Sequence, residues 1–334
     1  MKKMLLRFNL ILVAGVLAAC GGADENAEQD QPELTQIDIM LDWYPNAVHS
    51  YLYAAIEHDY FEEEGLDVNI QFPANPTDPI TLAAAGQITL GISYQPDVVT
   101  ARANQNVPIK SVGAIVRSPL NHTIFLEDSD IQTPADLAGK QVGYPGIPLN
   151  EALIRTMVEN DGGDFDEVEM VDVGFALGAS IVSEQVDAVS GAYINHEVPV
   201  LRHEGHGTRH FNPVDYGVPE FYELVFVTND QTWEEDREVI EAFWRGATKG
   251  YEFMRAHPEE ALEILLANQD EANFPLIEEV ERESLEILLP MMASDEGFGS
   301  QDAAVWQETI DWMKDFGLIE EEPALDEIFV NLAE

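Results

Sequence analysis

Residues 35–72 read TQIDIMLDWYPNAVHSYLYAAIEHDYFEEEGLDVNIQF, and their hydrophobic period changes twice. The short apolar run 37–41 predicts a strand. Residues 48–60 then place Leu52, Ala55, Ile56 and Tyr60 on one helical face, and Gly65 follows where a helix would end. Residues 66–72 return to a strand pattern. A strand, a helix and a second strand in that order point to α/β architecture, in which the helix covers a sheet.

The same grammar continues outward. A helix is predicted over 79–85, closed by Gly86, with a strand over 89–93. A second series begins near Ser118. It predicts a strand at 141–144 and a loop rich in Pro145, Gly146 and Pro148 that feeds a helix at 149–160. A strand at 168–173, a helix at 176–184 and a strand at 186–192 follow, and 223–228 reads as a return crossing. From Trp233 onward the chain is mostly helical. Val239, Ile240, Phe243, Ala247, Tyr251 and Met254 form one apolar stripe, and Val305, Thr309, Trp312, Met313 and Phe316 another. Both are expected to pack on a sheet.

The amino-terminal end predicts an address. Lys2, Lys3 and Arg7 precede a short apolar stretch at 10–16, and Leu17-Ala18-Ala19-Cys20 ends it. That stretch is too short to cross a hydrocarbon layer of about 30 Å, so residues 1–19 read as a cleaved leader. The Leu-Ala-Ala-Cys string looks like a bacterial lipobox, with Cys20 acylated as a membrane anchor. Residues 20–34, polar and acidic, are expected to be a flexible tether on the extracytoplasmic side. Cys20 is the single cysteine of the chain, which excludes internal disulfides and Cys-rich metal sites. With 63 acidic against 16 basic residues the formal net charge is −47, which argues against nucleic acid as a partner. Hydrophobic residues make up 46% of the chain, enough for a folded core.

Leu41-Asp42-Trp43-Tyr44-Pro45-Asn46 opens the first loop, and His49, Tyr53 and Glu62-Glu63-Glu64-Gly65-Leu66-Asp67-Val68 follow. Further along stand Ala85-Gly86-Gln87 with Gly91-Ile92-Ser93, Asp136-Leu137-Ala138-Gly139-Lys140, Asp187-Ala188-Val189 and Phe243-Trp244-Arg245-Gly246-Ala247. Together these resemble the family that joins thiamine-pyrimidine synthases to the binding proteins of ABC transporters. The Asp-Leu-Ala-Gly-Lys string is shared by many solute-binding proteins; the Asp-Trp-Tyr-Pro-Asn string is far more specific.

The resemblance implies a two-lobed periplasmic-binding-protein type II fold with a cleft between the lobes. Lobe 1 would take residues 35–117 and 228–334, and lobe 2 residues 118–227. It implies a monomer that takes a small pyrimidine related to thiamine, for salvage. The partners would be an ABC transporter permease and, through it, the ATPase, with no cofactor and no metal. Riboflavin-like heterocycles and nitrate or sulfonate solutes are the competing ligand classes.

Open α/β sheets bind ligands beyond the carboxyl ends of their strands. This places the working loops at 42–49, 93–97, 144–148, 174–178 and 193–197. Together they contain no lysine or arginine, as an anion site would want. Pro145 and Pro148 also remove N–H donors from the one loop that could cradle an anion. A flat neutral or cationic heteroaromatic suits these loops better. Trp43 and Tyr193 are expected to stack on it, and Glu197 to accept from an exocyclic amine. Asn46 and His49 would add polar contacts from lobe 1. Ser93, Tyr94, Tyr144 and Asn195 complete the candidates, and Tyr222 would line the cleft from the hinge.

Two other readings compete. A pyrimidine synthase would need a lysine for pyridoxal phosphate and a histidine. The resemblance aligns those positions with Ser93 and Asp97, and Ser93 cannot form a Schiff base. His196, His203, His206 and His210, with Glu197 and Glu204, could form a metal site, but Gly205 and Gly207 favour a surface loop.

Overall fold

The computed structural model describes residues 34–332, so the leader, Cys20 and nearly all of the expected tether lie outside the described residues. Lobe 1 opens with β1 (Thr35–Met40), a 3-10 turn at Ala47–His49, α1 (Ser50–Glu57) and β2 (Leu66–Gln71). It continues with α2 (Asp78–Ala84), β3 (Leu90–Ser93), α3 (Gln95–Gln105) and β4 (Ile109–Val116). Lobe 2 holds β5 (Asn121–Leu126), β6 (Gln141–Tyr144), α4 (Pro148–Asn160), β7 (Glu169–Asp172), α5 (Leu177–Val182), β8 (Ala188–Tyr193), α6 (Glu197–His203) and β9 (Thr208–Phe211). The chain then re-enters lobe 1 through β10 (Leu224–Asn229). Six helices follow: α7 (Asp230–Glu235), α8 (Arg237–Ala256), α9 (Pro258–Ala267), α10 (Glu278–Met292), α11 (Ala303–Asp315) and α12 (Leu325–Ile328).

The two five-stranded sheets repeat one plan. The first runs β2-β1-β3-β10-β4 and the second β7-β6-β8-β5-β9. In each, the first three strands are parallel, and the fourth is antiparallel to both neighbours. That fourth strand is the one arriving from the other lobe, so the two crossings stitch the sheets together. β10 pairs with Val116 and Ser93 of lobe 1 already at Leu224 and Val225. The returning chain therefore joins the first sheet from Leu224 onward.

Strand β4 was not among the elements predicted from periodicity, for a physical reason. All eight of its residues are buried, because helices cover both faces, so IKSVGAIV shows no alternation. Helix α3 carries polar residues through a stretch without a strong apolar stripe and was missed as well.

The carboxy-terminal stripe on α8 does pack as expected. Ile240, Phe243, Ala247, Tyr251 and Met254 are all buried in the larger core. A Cβ at Gly250 would stand 2.2 Å from the Tyr51 carbonyl oxygen, so only glycine lets α8 lie this close to α1. The cores interpenetrate. Leu149, Leu153 and Phe221 of lobe 2 join the lobe 1 cluster, while Trp43 of lobe 1 belongs to the lobe 2 cluster.

Candidate functional site

The first loop is built to hold its shape. The Asn46 side chain accepts from Val48 N at 3.1 Å, capping the 3-10 turn, and its Nδ2 donates to the Tyr44 carbonyl. Asn46 N in turn donates to His49 Nδ1 at 3.2 Å. That donor fixes the ring tautomer, so Nε2 carries the hydrogen and donates to Asp42 Oδ1 at 2.9 Å. His49 is fully buried behind Asp42. Its role in this geometry is to aim a carboxylate, and the ring itself does not line the crevice.

Between the lobes lies a narrow crevice with a cavity volume of about 30 Å³. Lobe 1 supplies Asp42, Trp43, Asn46, Val48 and Tyr94. Lobe 2 supplies Asn121, Pro145, Ile147, Leu149, Asn150, Gly191, Tyr193, His196 and Glu197. No lysine or arginine stands among these lining residues.

The lobe 2 wall rests on an amide network. Asn150 Oδ1 accepts from Asn121 Nδ2 at 2.8 Å and from Ser190 Oγ at 3.1 Å, and Asn121 Oδ1 accepts from Gly191 N. Gly191 has φ of +93°, and a Cβ there would meet Pro145 Cδ at 2.7 Å. A side chain at 191 would both strain the backbone and close the crevice. Glu197 Oε2 accepts Tyr193 N at 2.7 Å, which folds this carboxylate back over the end of β8.

Glu223, at the second crossing, was not anticipated. It is fully buried, and Oε2 accepts the N–H groups of Leu120 and Asn121 at 2.7 and 3.0 Å, tying one crossing to the other. Oε1 accepts the Tyr193 hydroxyl at 3.1 Å. Burial pushes its carboxyl up to about 7 despite those donors, and Asp42 nearby adds to the shift. Asp97, half-buried, is pushed up to about 7 by burial and then by Glu223. The hydroxyls of Tyr94 and Tyr193 are raised too, first by burial and then by surrounding carboxylates. The crevice is thus an aromatic slot in a negative field with no cation on its walls.

Of the ten ligand-contact candidates, Trp43, Asn46, Tyr94, Tyr193 and Glu197 line the crevice. Trp43 stands edge-on to Phe175 at 4.4 Å between ring centres, which is how loop 174–178 takes part. The other five are placed elsewhere. His49 has both ring nitrogens engaged inside lobe 1. Ser93 is buried at the end of β3, paired with Val225. The Tyr144 hydroxyl donates outward to Glu151 at 2.9 Å. Asn195 donates to Ser284 Oγ on α10, and the Tyr222 hydroxyl accepts from Asp302 N at 2.7 Å. Tyr44 stacks on Phe274 at 5.1 Å.

Missed among the polar side chains of the lining were Asp42, Asn121, Asn150 and His196. Asp42 stood inside the quoted motif. Asn121 and Asn150 had no local signal, because their partners are distant in sequence. The histidines do not converge: His196 is buried against Tyr44, while His210 lies on β9 beside His122. No group of three or more metal-binding side chains is found among the described residues.

The NMT1/THI5-like family model matches residues 46–261. The formylaminopyrimidine-binding protein of Halalkalibacterium halodurans is 55% identical, over 98% of this chain and 98% of its own. Among solved structures, the alkanesulfonate-binding protein of Xanthomonas axonopodis pv. citri bound to MOPS superimposes with a TM-score of 0.71 at 16% identity, covering 90% of this chain and 99% of that one. A Candida albicans protein described as having the generic periplasmic binding protein fold gives 0.67 at 17% identity, over 89% and 96%. At these identities the two structures speak for the fold alone: two α/β lobes of the periplasmic-binding-protein type. By the reach of the family model, the chain belongs to the NMT1/THI5-like family.

Proposed function

We propose that this chain is the extracytoplasmic solute-binding protein of an ABC importer and that it captures a thiamine-related pyrimidine, N-formyl-4-amino-5-aminomethyl-2-methylpyrimidine, for salvage. One observation carries the reading: Trp43, Tyr94 and Tyr193 share a crevice with Asp42 and Glu197, and no cation lines it. An aminopyrimidine offers a flat face to the rings and N–H donors to the carboxylates. A nitrate or sulfonate would meet only negative charge. The identity to a relative named for binding formylaminopyrimidine supports the same ligand.

The ligand is held and released unchanged. Ser93 and Asp97 stand where the synthases are read to carry their lysine and histidine, and Ser93 is buried at a strand end. Capture follows from sharing one ligand between two lobes. Each half-site binds weakly alone, so occupancy favours the arrangement in which both walls meet, and the permease recognises that arrangement. In this reading Cys20 carries the lipid that keeps the protein at the membrane.

The test is calorimetry of the protein with the formylaminopyrimidine, thiamine, riboflavin, taurine and nitrate. Binding of the pyrimidine with none of the two anions supports the proposal. Heat with riboflavin and none with the pyrimidine replaces the ligand, and heat with taurine or nitrate overturns the electrostatic argument. For the anchor, Cys20→Ser should move the protein from the membrane fraction to the soluble one.

A further inference from the structure

Helix α6 faces two ways. Glu197, its first residue, and His196 before it both line the crevice. The same short stretch also meets α10 of the other lobe. Asn195 Nδ2 donates to Ser284 Oγ at 2.9 Å, with both side chains buried. His196 Nε2 meets the Tyr44 hydroxyl at 2.8 Å, and its Nδ1 lies 4.0 Å from Glu281 Oε1. Glu281, 1% exposed, accepts Ala47 N at 2.7 Å and so also holds the base of the first loop.

The two sides of the interlobe junction differ in kind. Beside the crossings the lobes fuse through apolar side chains such as Leu149, Leu153 and Phe221, all in the larger core. At α6 and α10 the joint is polar. It also carries unspent capacity: Asn195 Oδ1 and His196 Nδ1 are buried with no hydrogen-bond partner among the described residues. Surfaces that never part are more stable when apolar. A hydrogen-bonded joint separates at little net cost, because water replaces each bond. The chemistry of this seam is that of a contact made and broken.

We propose that α10 is the latch of the crevice: Ser284 and Glu281 hold the start of α6 across the lobes and so set how long a solute stays bound, without touching it. A ligand donor that engages Glu197 draws the first turn of α6, with Asn195 and His196, onto α10. Ligand and latch then stabilise one and the same arrangement. The residence-time half of this inference rests on the solute-binding reading above; the latch itself does not.

The experiment uses the full chain carrying Cys20→Ser, with Ser284→Ala, Asn195→Ala and the double variant. Dissociation of the formylaminopyrimidine is followed by stopped-flow tryptophan fluorescence. Each single variant should speed dissociation about fivefold to tenfold, and the double no more than either, because both remove one bond. Association should stay within about twofold. Ser284→Thr, which keeps the hydroxyl, should restore the slow rate.

A purely structural role would instead lower the melting temperature of the free protein and leave dissociation unchanged. That result, or additive effects in the double variant, overturns the proposal. A second measurement needs no ligand. Spin labels at Glu62→Cys and Asp166→Cys, exposed positions on lobes 1 and 2, report the interlobe distance. Ser284→Ala should shift that distribution outward, and an unmoved distribution overturns the latch. A shift without any pyrimidine binding sinks only the functional reading; normal binding with unmoved distances and rates sinks only the latch.

Discussion

The two lobes share a strand plan but build their crevice walls differently. Lobe 1 supplies four of its five lining residues, Asp42, Trp43, Asn46 and Val48, from one loop of seven residues or so. Local bonds hold that loop: Asn46 caps it, and His49 aims Asp42 from behind. Lobe 2 draws its wall from β5, the loop before α4, α4 itself, and the segment from Gly191 to Glu197. Those pieces meet through Asn150 on α4, whose side-chain oxygen accepts from Asn121 on β5 and Ser190 on β8. A wall made from one loop loses function residue by residue, whereas a wall assembled around a hub loses shape when the hub goes.

The largest expected effect tests the lobe 1 wall. Trp43→Ala should weaken pyrimidine binding by about 2–3 kcal/mol, since it removes the indole from the crevice and from Phe175. Calorimetry, with circular dichroism to confirm folding, measures it; unchanged affinity would break the loop's claim to the ligand. The hub comes next. Asn150→Ala strands buried donors on Asn121 and Ser190 and should cost about 2 kcal/mol of stability, read as a lower denaturation midpoint. A smaller loss than that from His49→Ala would reverse the contrast between the lobes.

Glu197→Gln keeps the acceptor for Tyr193 N but removes the charge offered to an amine. Affinity should fall by about 1.5 kcal/mol with little change in stability. If a ligand without an amino group loses as much, Glu197 is not the amine's partner.

The crossing that joins the lobes has its own signature in pH. Glu223 is held at about 7, above its ordinary 4.5, so between those values the folded chain binds more protons than the unfolded one. Its contribution to stability is fully present below about 4.5 and is lost as pH rises through about 7. Asp97, raised from 3.8 to about 7, works in the same direction. The melting temperature should therefore fall by about a few degrees between roughly pH 4.5 and 7 and level off above that, with a shallower fall in Glu223→Gln. An equal slope in that variant would remove Glu223 as the cause. The smallest effect belongs to Tyr144→Phe. Its hydroxyl is spent on Glu151, so affinity should not move, and a measurable loss would place that side chain in the crevice after all.

The amino-acid order alone determined the alternation of strands and helices, the apolar stripes of α8 and α11, and the character of the site. The Asp42–Asn46 motif and the absence of basic residues from the strand-end loops were local properties, legible because neighbours in sequence set them. Half of the expected contact residues were placed elsewhere by tertiary structure. His49 and Asn195 carry the right chemistry at the right loops and Tyr222 at the hinge, but each found a partner far along the chain or behind the loop. Strand β4 and the hub Asn150 gave no signal for a related reason. A strand buried on both faces shows no period, and an amide becomes structural only when β5, β8 and α4 arrive around it. Which residues can reach a ligand was fixed only by packing, since a buried polar group bonds to whichever partner the fold brings within reach.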